Sequence, residues 1–143
     1  MTEEQWKEFE FFSPSDNWGN PQLIDYSLVK ELEGLRKFIG TAIRIHCATQ
    51  GVHAPKSYHY AIPCVAVDCS TKGISLVNFY LGAERFGFTG IGIYTWWKKP
   101  GLHIDRRPIP AGESKARWAS VEEGKYIALD EKFLKGLLST TPP

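Results

Sequence analysis

The sequence predicts an α+β domain in which helices cover one face of a largely antiparallel sheet. Three observations predict it. The stretch from Asp25 to Ile39 repeats Leu28, Leu32, Leu35 and Phe38–Ile39 at helical spacing. Several shorter stretches alternate apolar and polar residues with a period of two, as half-buried strands do. The connections between them are too short for a regular array of βαβ crossovers.

Taken in order, residues 1–22 read as an irregular N-terminal segment, because Pro14, Gly19 and Pro21 interrupt any period. In the helix that follows, Lys30, Glu31, Glu33, Arg36 and Lys37 fill the polar side. Asp25 or Ser27 can cap its start, and Gly40 stands where a C-terminal cap belongs. From Ala42 to Ala48 a strand is predicted, with Ile43, Ile45 and Cys47 on one face and Arg44, His46 and Ala48 on the other. A loop carrying Gly51 and Pro55 follows. Cys64 to Cys69 alternates again, with Val65, Val67 and Cys69 opposed to Cys64, Ala66 and Asp68. Ile74 to Phe86 reads as a second helix stopped by Gly87. Gly90–Tyr94, Leu102–Asp105 and Gly124–Leu129 read as strands. Asp130 caps a last helix to Leu138, and Ser139–Pro143 reads as a frayed tail.

The totals set bounds. A chain of 143 residues with 43% apolar content predicts one domain, spanning residues 1–143, with a core of its own. A net charge of +1 predicts no nucleic-acid partner and no attraction to an acidic membrane. The three cysteines, Cys47, Cys64 and Cys69, form no CxxC pair, so reduced thiols are expected. Met1–Trp6 is acidic rather than apolar, unlike a signal peptide, and no run approaches the ~20 apolar residues of a membrane span. Synthesis in the cytoplasm without a signal peptide is therefore expected.

Chemistry concentrates in two runs, Ser57-Tyr58-His59 with Asp68, and Gly101-Leu102-His103-Ile104-Asp105. His59, Asp68 and His103 offer two imidazoles and a carboxylate, a set that holds one divalent metal and leaves a position open for water. Such an open position is a route to hydrolysis at neutral pH. Ser57 can fix the loop before His59 through a side-chain bond to the backbone. Alternation puts His103 and Asp105 on one strand face, and the small residues Ala66, Gly90 and Gly92 would open a cleft beside Asp68 and Tyr94. Spacing alone leaves a second reading: a satisfied His59, a loop-capping Asp68, and a His103 that merely pairs with Asp105. His46 and His53 are rival ligands.

Longer phrases carry a resemblance. Ser57-Tyr58-His59 with Ala66-Val67-Asp68 resembles the SxH…AxD signature of the M15 peptidases. That family includes zinc D-Ala-D-Ala carboxypeptidases and phage L-alanyl-D-glutamate endolysins, and the hedgehog signalling domain shares its fold. Phe12-Ser13-Pro14-Ser15-Asp16 is similar to the FSPSE opening of such cell-wall peptidases. Leu32-Glu33-Gly34-Leu35-Arg36 is similar to their LExLR helix. Gly90 to Tyr94, His103-Ile104-Asp105-Arg106-Arg107 and Arg117-Trp118 resemble their GxGxY…HxDxR…RW run. The matches run in order over roughly residues 11 to 118. The resemblance implies a hedgehog/DD-peptidase-like fold and Zn2+ held by His59, Asp68 and His103. It implies a peptidoglycan stem peptide as substrate, cut by metal-assisted hydrolysis. A chain without a signal peptide would reach the cell wall after release or within a phage particle.

The sequence also departs from that family. Two extra residues lengthen the His-x-x-Gly-x-Ala-x-Asp pattern, and Cys64 replaces its glycine. Pro100 stands where many members carry an acid, which leaves Asp105 as the nearest carboxylate. Asp105 reads either as the catalytic base or as a hydrogen-bond partner of a ligand histidine. Gln50 stands where the family tends to carry an oxyanion-steadying arginine. Arg44 is a substitute, or a solvated strand residue. Cys64 is a metal-binding thiol, or a small core residue. Tyr94, Trp118, Trp96 and Trp97 read as a groove wall for substrate, or as a lid packed on the core. Lys98, Lys99, Arg106 and Arg107 make this edge basic, which suits carboxylates or is simply solvated.

Overall fold

The first 22 residues are irregular in pattern but not in packing. Thr2 opens a one-turn helix, α1 (Glu3–Trp6), through a reciprocal capping box with Gln5. Trp6, Phe12 and Trp18 are then buried together, with the Trp6 and Trp18 rings 5.3 Å apart. The segment is pinned by Glu33, whose carboxylate accepts the backbone N–H groups of Glu10 and Phe11 at 2.7 and 3.0 Å. Glu33 therefore lies buried under the N-terminal segment and not on a solvated helix face.

The computed structural model describes residues 1–140. Helix α2 (Tyr26–Ile39) starts where the Asp25 carboxylate accepts the Leu28 N–H, and ends at Gly40 in the left-handed conformation that glycine permits. Strands β1 (Ile43–Cys47) and β2 (Ala66–Thr71) follow. Helix α3 (Leu76–Ala83) is shorter than its apolar run, because Ser75 caps it after Ile74 and tight turns end it at Glu84. Strands β3 (Gly90–Tyr94) and β4 (Gly101–Asp105) form a hairpin, and β5 (Ala116–Glu122), β6 (Lys125–Ile127) and α4 (Glu131–Thr140) complete the chain. The expected frayed tail overlaps α4, and its last three residues lie outside the described ones.

The sheet is mixed, in the order β1-β2-β4-β3-β5-β6. The β3–β5 pairing is parallel and the other four are antiparallel. The fold class is thus α+β, as predicted. Strand β5 was not anticipated, since Ala116-Arg117-Trp118-Ala119 lacks clean alternation. Arg117 anchors it to the end of α3, with Nη2 2.6 Å from Glu84 and Nη1 bonded to the Thr89 carbonyl. On one sheet face Ile45, Val67, Ile91, Ile93, Leu102 and Ile104 pack with Leu28, Leu32 and Leu35 of α2 and Phe79 of α3 in a single core. The other face carries Asp68, His103 and Asp105. No helix among the described residues is long and apolar enough to cross a membrane.

One irregularity reshapes β1. A bulge between Ile45 and Cys47 sets Cys47 opposite Asp68. Cys47 therefore leaves the aliphatic face that strict alternation assigns it and joins the open one.

Leu32 is fully buried whereas Asp25 acts only as a cap. Urea unfolding should show Leu32→Ala losing about 2–5 kcal/mol and Asp25→Ala about 1 kcal/mol.

Candidate metal centre

Strand register builds the open face in rows. Cys47 faces Asp68, Asp68 faces His103, His103 faces Gly92 and Gly92 faces Trp118, so five adjacent strands present one line of side-chain positions. Paired residues share a face, which aims Asp68 and His103 the same way. His59 comes from a 3-10 turn, Tyr58–Tyr60, in which the Ser57 hydroxyl accepts the His59 N–H at 3.2 Å. The Gly/Pro loop thus folds back over the row and sets a third side chain on it.

Three atoms converge there. His59 Nε2 is 3.3 Å from Asp68 Oδ1 and 3.3 Å from His103 Nδ1, and His103 Nδ1 is 3.1 Å from Asp68 Oδ1. Ligands about 2.0–2.1 Å from a tetrahedral ion stand ~3.3 Å from one another. The far nitrogen of each ring is already committed. His59 Nδ1 lies 2.7 Å from the Ala48 carbonyl, which can only accept, so the proton sits on Nδ1. His103 Nε2 lies 2.7 Å from the Asp105 carboxylate. When His103 is neutral, both inner nitrogens bring lone pairs to a carboxylate oxygen, an arrangement that a cation relieves. Metal-binding histidines are held by the same outer bonds. These residues form a buried group that could hold a metal ion.

Without a cation, the charges around His103 favour a proton on it. Burial, the largest influence, disfavours its charged form, but hydrogen bonds to Asp105 and Asp68 outweigh that and raise its pKa to about 9. Despite burial, His103 and His59 hold Asp68 well below the usual carboxylate range, and His103 and Arg107 do so for Asp105. Asp105 is fully buried behind His103. Its Oδ1 accepts the Arg107 backbone N–H at 3.0 Å, and its Oδ2 accepts Arg107 Nη2 at 2.6 Å. Both of its oxygens are occupied on the far side of the imidazole, which orients His103 and leaves neither oxygen on the cleft.

A second cluster, Cys47, His53 and His59, also lies close together. His53 is half-buried and stacks on His59 at 3.8 Å with only 7° between the rings. An ion bound in the plane of one ring sits well off the plane of the other, so these two rings cannot share one. Cys47 instead serves Asp68. Its thiol donates to Asp68 Oδ2 at 3.1 Å, which leaves Oδ1 for the centre. Burial, then the Asp68 charge, push that thiol pKa upward. Cys64 is fully buried in the core and bonds the Ala66 carbonyl, remote from any ligand role. His46 bonds the Ser70 hydroxyl at 2.6 Å instead of joining the centre.

A cleft of about 810 Å³ opens over Asp68 and His103, walled by Tyr58, Tyr94, Trp97, Trp118, Arg107 and Tyr126. Trp118 Nε1 donates to the Tyr94 hydroxyl at 3.0 Å, and Trp97 stacks on Tyr94 at 4.2 Å. The Arg107 guanidinium lies 4.7 Å from the Tyr58 ring and 5.0 Å from that of Trp118. Gln50 does not line this cleft: its side chain accepts the Ala48 N–H and donates to the Asn17 carbonyl, tying the loop to the N-terminal segment. Arg44 is exposed on β1 opposite Ser70. Sequence reasoning singled out neither Tyr58 nor the individual role of Arg107. The signal for Arg107 was its place two residues after Asp105, within reach of that carboxylate.

The room beside Tyr94 is filled by the site itself. A methyl group on Gly90 would overlap the Asp105 carboxylate, and one on Gly92 would overlap the Trp118 indole. No family model, no curated protein and no solved structure matches the chain.

Two expectations follow. Gly92→Ala should displace Trp118, altering the near-ultraviolet circular dichroism while the far-ultraviolet spectrum is kept. Because His103 carries a proton below about pH 9 in the metal-free chain, a divalent cation must displace it. Calorimetry should show proton release on metal binding, and an affinity that weakens about tenfold per unit as pH falls from 9 to 7.

Proposed function

We propose that this chain is a zinc-dependent peptidase that hydrolyses a peptide bond in bacterial peptidoglycan. The observation that carries the reading is the triangle of His59, Asp68 and His103 atoms, with both outer nitrogens already bonded. A nitrogen and carboxylate donor set of this size suits zinc. The substrate class rests on the ordered resemblance of residues 11–118 to the M15 peptidases.

Zinc, if held by His59, Asp68 and His103, would supply a Lewis acid and lower the pKa of a bound water, the chemistry that hydrolysis at neutral pH needs. The chain's own residues then have separable roles. The Ala48 carbonyl and the Asp105 carboxylate fix the two imidazole orientations. Cys47 holds Asp68 to one inward oxygen. Trp118, Trp97 and Tyr94 form a rigid aromatic wall against which a peptide can lie. Asp105 acts through His103 as a positioning residue, a role that its bonds to His103 Nε2 and to Arg107 favour over that of a base. Work on the wall as phage lytic equipment, or in host wall remodelling, suits a chain with this cleft.

A second reading has its own support. Besides Asp68, no carboxylate lines the cleft among the described residues, and Gln50 is turned away from it. A zinc-bearing module that binds peptidoglycan with little or no hydrolysis suits those two facts.

Elemental analysis and release of amines from purified peptidoglycan separate the readings. The peptidase should carry one zinc per chain, and His103→Ala should lose both metal and cleavage. Asp105→Ala should weaken zinc binding about 10–100-fold. Zinc without cleavage would leave the binding module, and a chain that binds no zinc would remove both.

A further inference from the structure

The bulge in β1 gives the metal centre a group that a regular strand would have turned into the core. It sets Cys47 opposite Asp68, half-buried and on the wall of the cleft. The Cys47 sulfur lies 3.1 Å from Asp68 Oδ2. It also lies within 4.8 Å of a ring nitrogen of His59. Asp68 and His59, both members of the converging triangle, therefore have the same sulfur beside them. Cys64 and Cys69, by contrast, are fully buried within the aliphatic core.

These separations suit a shared ion. Zinc holds sulfur at about 2.3 Å and nitrogen or oxygen at about 2.0–2.1 Å, which puts a tetrahedral sulfur ~3.5 Å from each other ligand atom. The single side-chain torsion of Cys47 moves its sulfur relative to both neighbours at once. Charge points the same way. Two neutral imidazoles and the Asp68 carboxylate bring one negative charge to a divalent cation, and Asp105 is already paired with Arg107. Such a centre would hold a net positive charge largely out of water, which is costly. A thiolate balances it. In the metal-free chain the thiol keeps its proton and donates it to Asp68. A thiol that coordinates a metal loses that proton outright.

We propose that Cys47 is a fourth protein ligand of the metal centre, so that the centre is closed at rest and selects cations that accept sulfur, such as zinc, cobalt or cadmium, over magnesium or manganese. The inference rests on the metal centre of the peptidase reading. It adds one condition to that reading: water gains the metal only when the thiolate yields its place.

The probe is cobalt(II), added to the full chain after a chelator has removed other metals. A thiolate on cobalt gives an intense near-ultraviolet sulfur-to-metal charge-transfer band, which nitrogen and oxygen ligands alone do not give. The unmodified chain should show this band, saturating at one cobalt per chain. Cys47→Ser keeps a hydroxyl for the bond to Asp68. It should bind cobalt without the band and bind cadmium about tenfold or more weakly, with manganese binding little changed. Cys47→Ala should likewise lose the band, and His103→Ala should lose band and metal together. Far-ultraviolet circular dichroism checks that each variant is folded. Cobalt bound without the band, or a band that survives in Cys47→Ser, would overturn the fourth ligand and leave the centre of three groups standing. A band kept in His103→Ala would place the sulfur contact elsewhere and overturn it as well. A chain that binds no cobalt would remove the metal centre, and the ligand with it.

Discussion

The cross-strand pair of Asp68 and His103 is the constraint on which the rest of the open face depends. In an antiparallel ladder a slip of one residue turns every side chain of a strand to the other face. The core enforces the register here: Val67 and Cys69 on β2 and Leu102 and Ile104 on β4 are all fully buried. Their burial leaves Asp68 and His103 no alternative but to stand side by side in the open. The aliphatic face thus sets the metal geometry without touching it. His59 alone is not fixed by the ladder, and its turn is held separately by Ser57 and by the Ala48 carbonyl.

Such a convergence is costly in the absence of a cation. Two lone-pair nitrogens and a carboxylate oxygen within 3.3 Å repel unless something positive lies between them. The chain carries part of the answer in its surroundings. Arg107 neutralises Asp105, Asp105 in turn stabilises a charged His103, and a proton then stands in for the metal. A buried network of this kind is stable only when every member is satisfied, and each of these is. The wall residues serve the network too: Trp118 occupies the space over Gly92, and Asp105 that over Gly90, so the glycines of β3 are part of the centre and not of a turn.

The sequence made much of this legible, for a physical reason. Helix α2, its Asp25 cap, its Gly40 terminus and the strand Gly90–Tyr94 are local matters of period and capping, and they lie where the residues put them. The two faces of β2 and β4 followed from alternation, which put Asp68 and His103 on open faces, whereas His59 was nominated from the run Ser57-Tyr58-His59 and the resemblance it carries. Where the local rule was broken, the reading failed. The bulge at Ile45–Cys47 moved a thiol from core to centre, and no periodicity signals a bulge. Glu33 looked solvated on its helix and is buried, because the segment that covers it has no pattern of its own. His53 read as a rival ligand, yet it stacks on His59 through a fold-back that only tertiary structure supplies. The place of Asp105 could not be judged from spacing at all, since the side of an imidazole on which a carboxylate stands is set by the tertiary fold.

The division of labour between faces also bears on what the chain can bind. Aliphatic packing is confined to the helix-covered face, and the open face is held instead by the bonds and ring contacts of its own residues. They sort by row. The row through Asp68 and His103 ends in the indole of Trp118, which supplies a neutral aromatic surface. One step along the strands, Arg44 and Ser70 face each other with Lys99 near by, which supplies positive charge. The two rows lie about 7 Å apart along the strands, but Arg44 on β1 and Trp118 on β5 are also four strand spacings apart, roughly 19 Å at ~4.8 Å each. The sheet that positions Asp68 and His103 therefore also fixes the spacing of the groups around them.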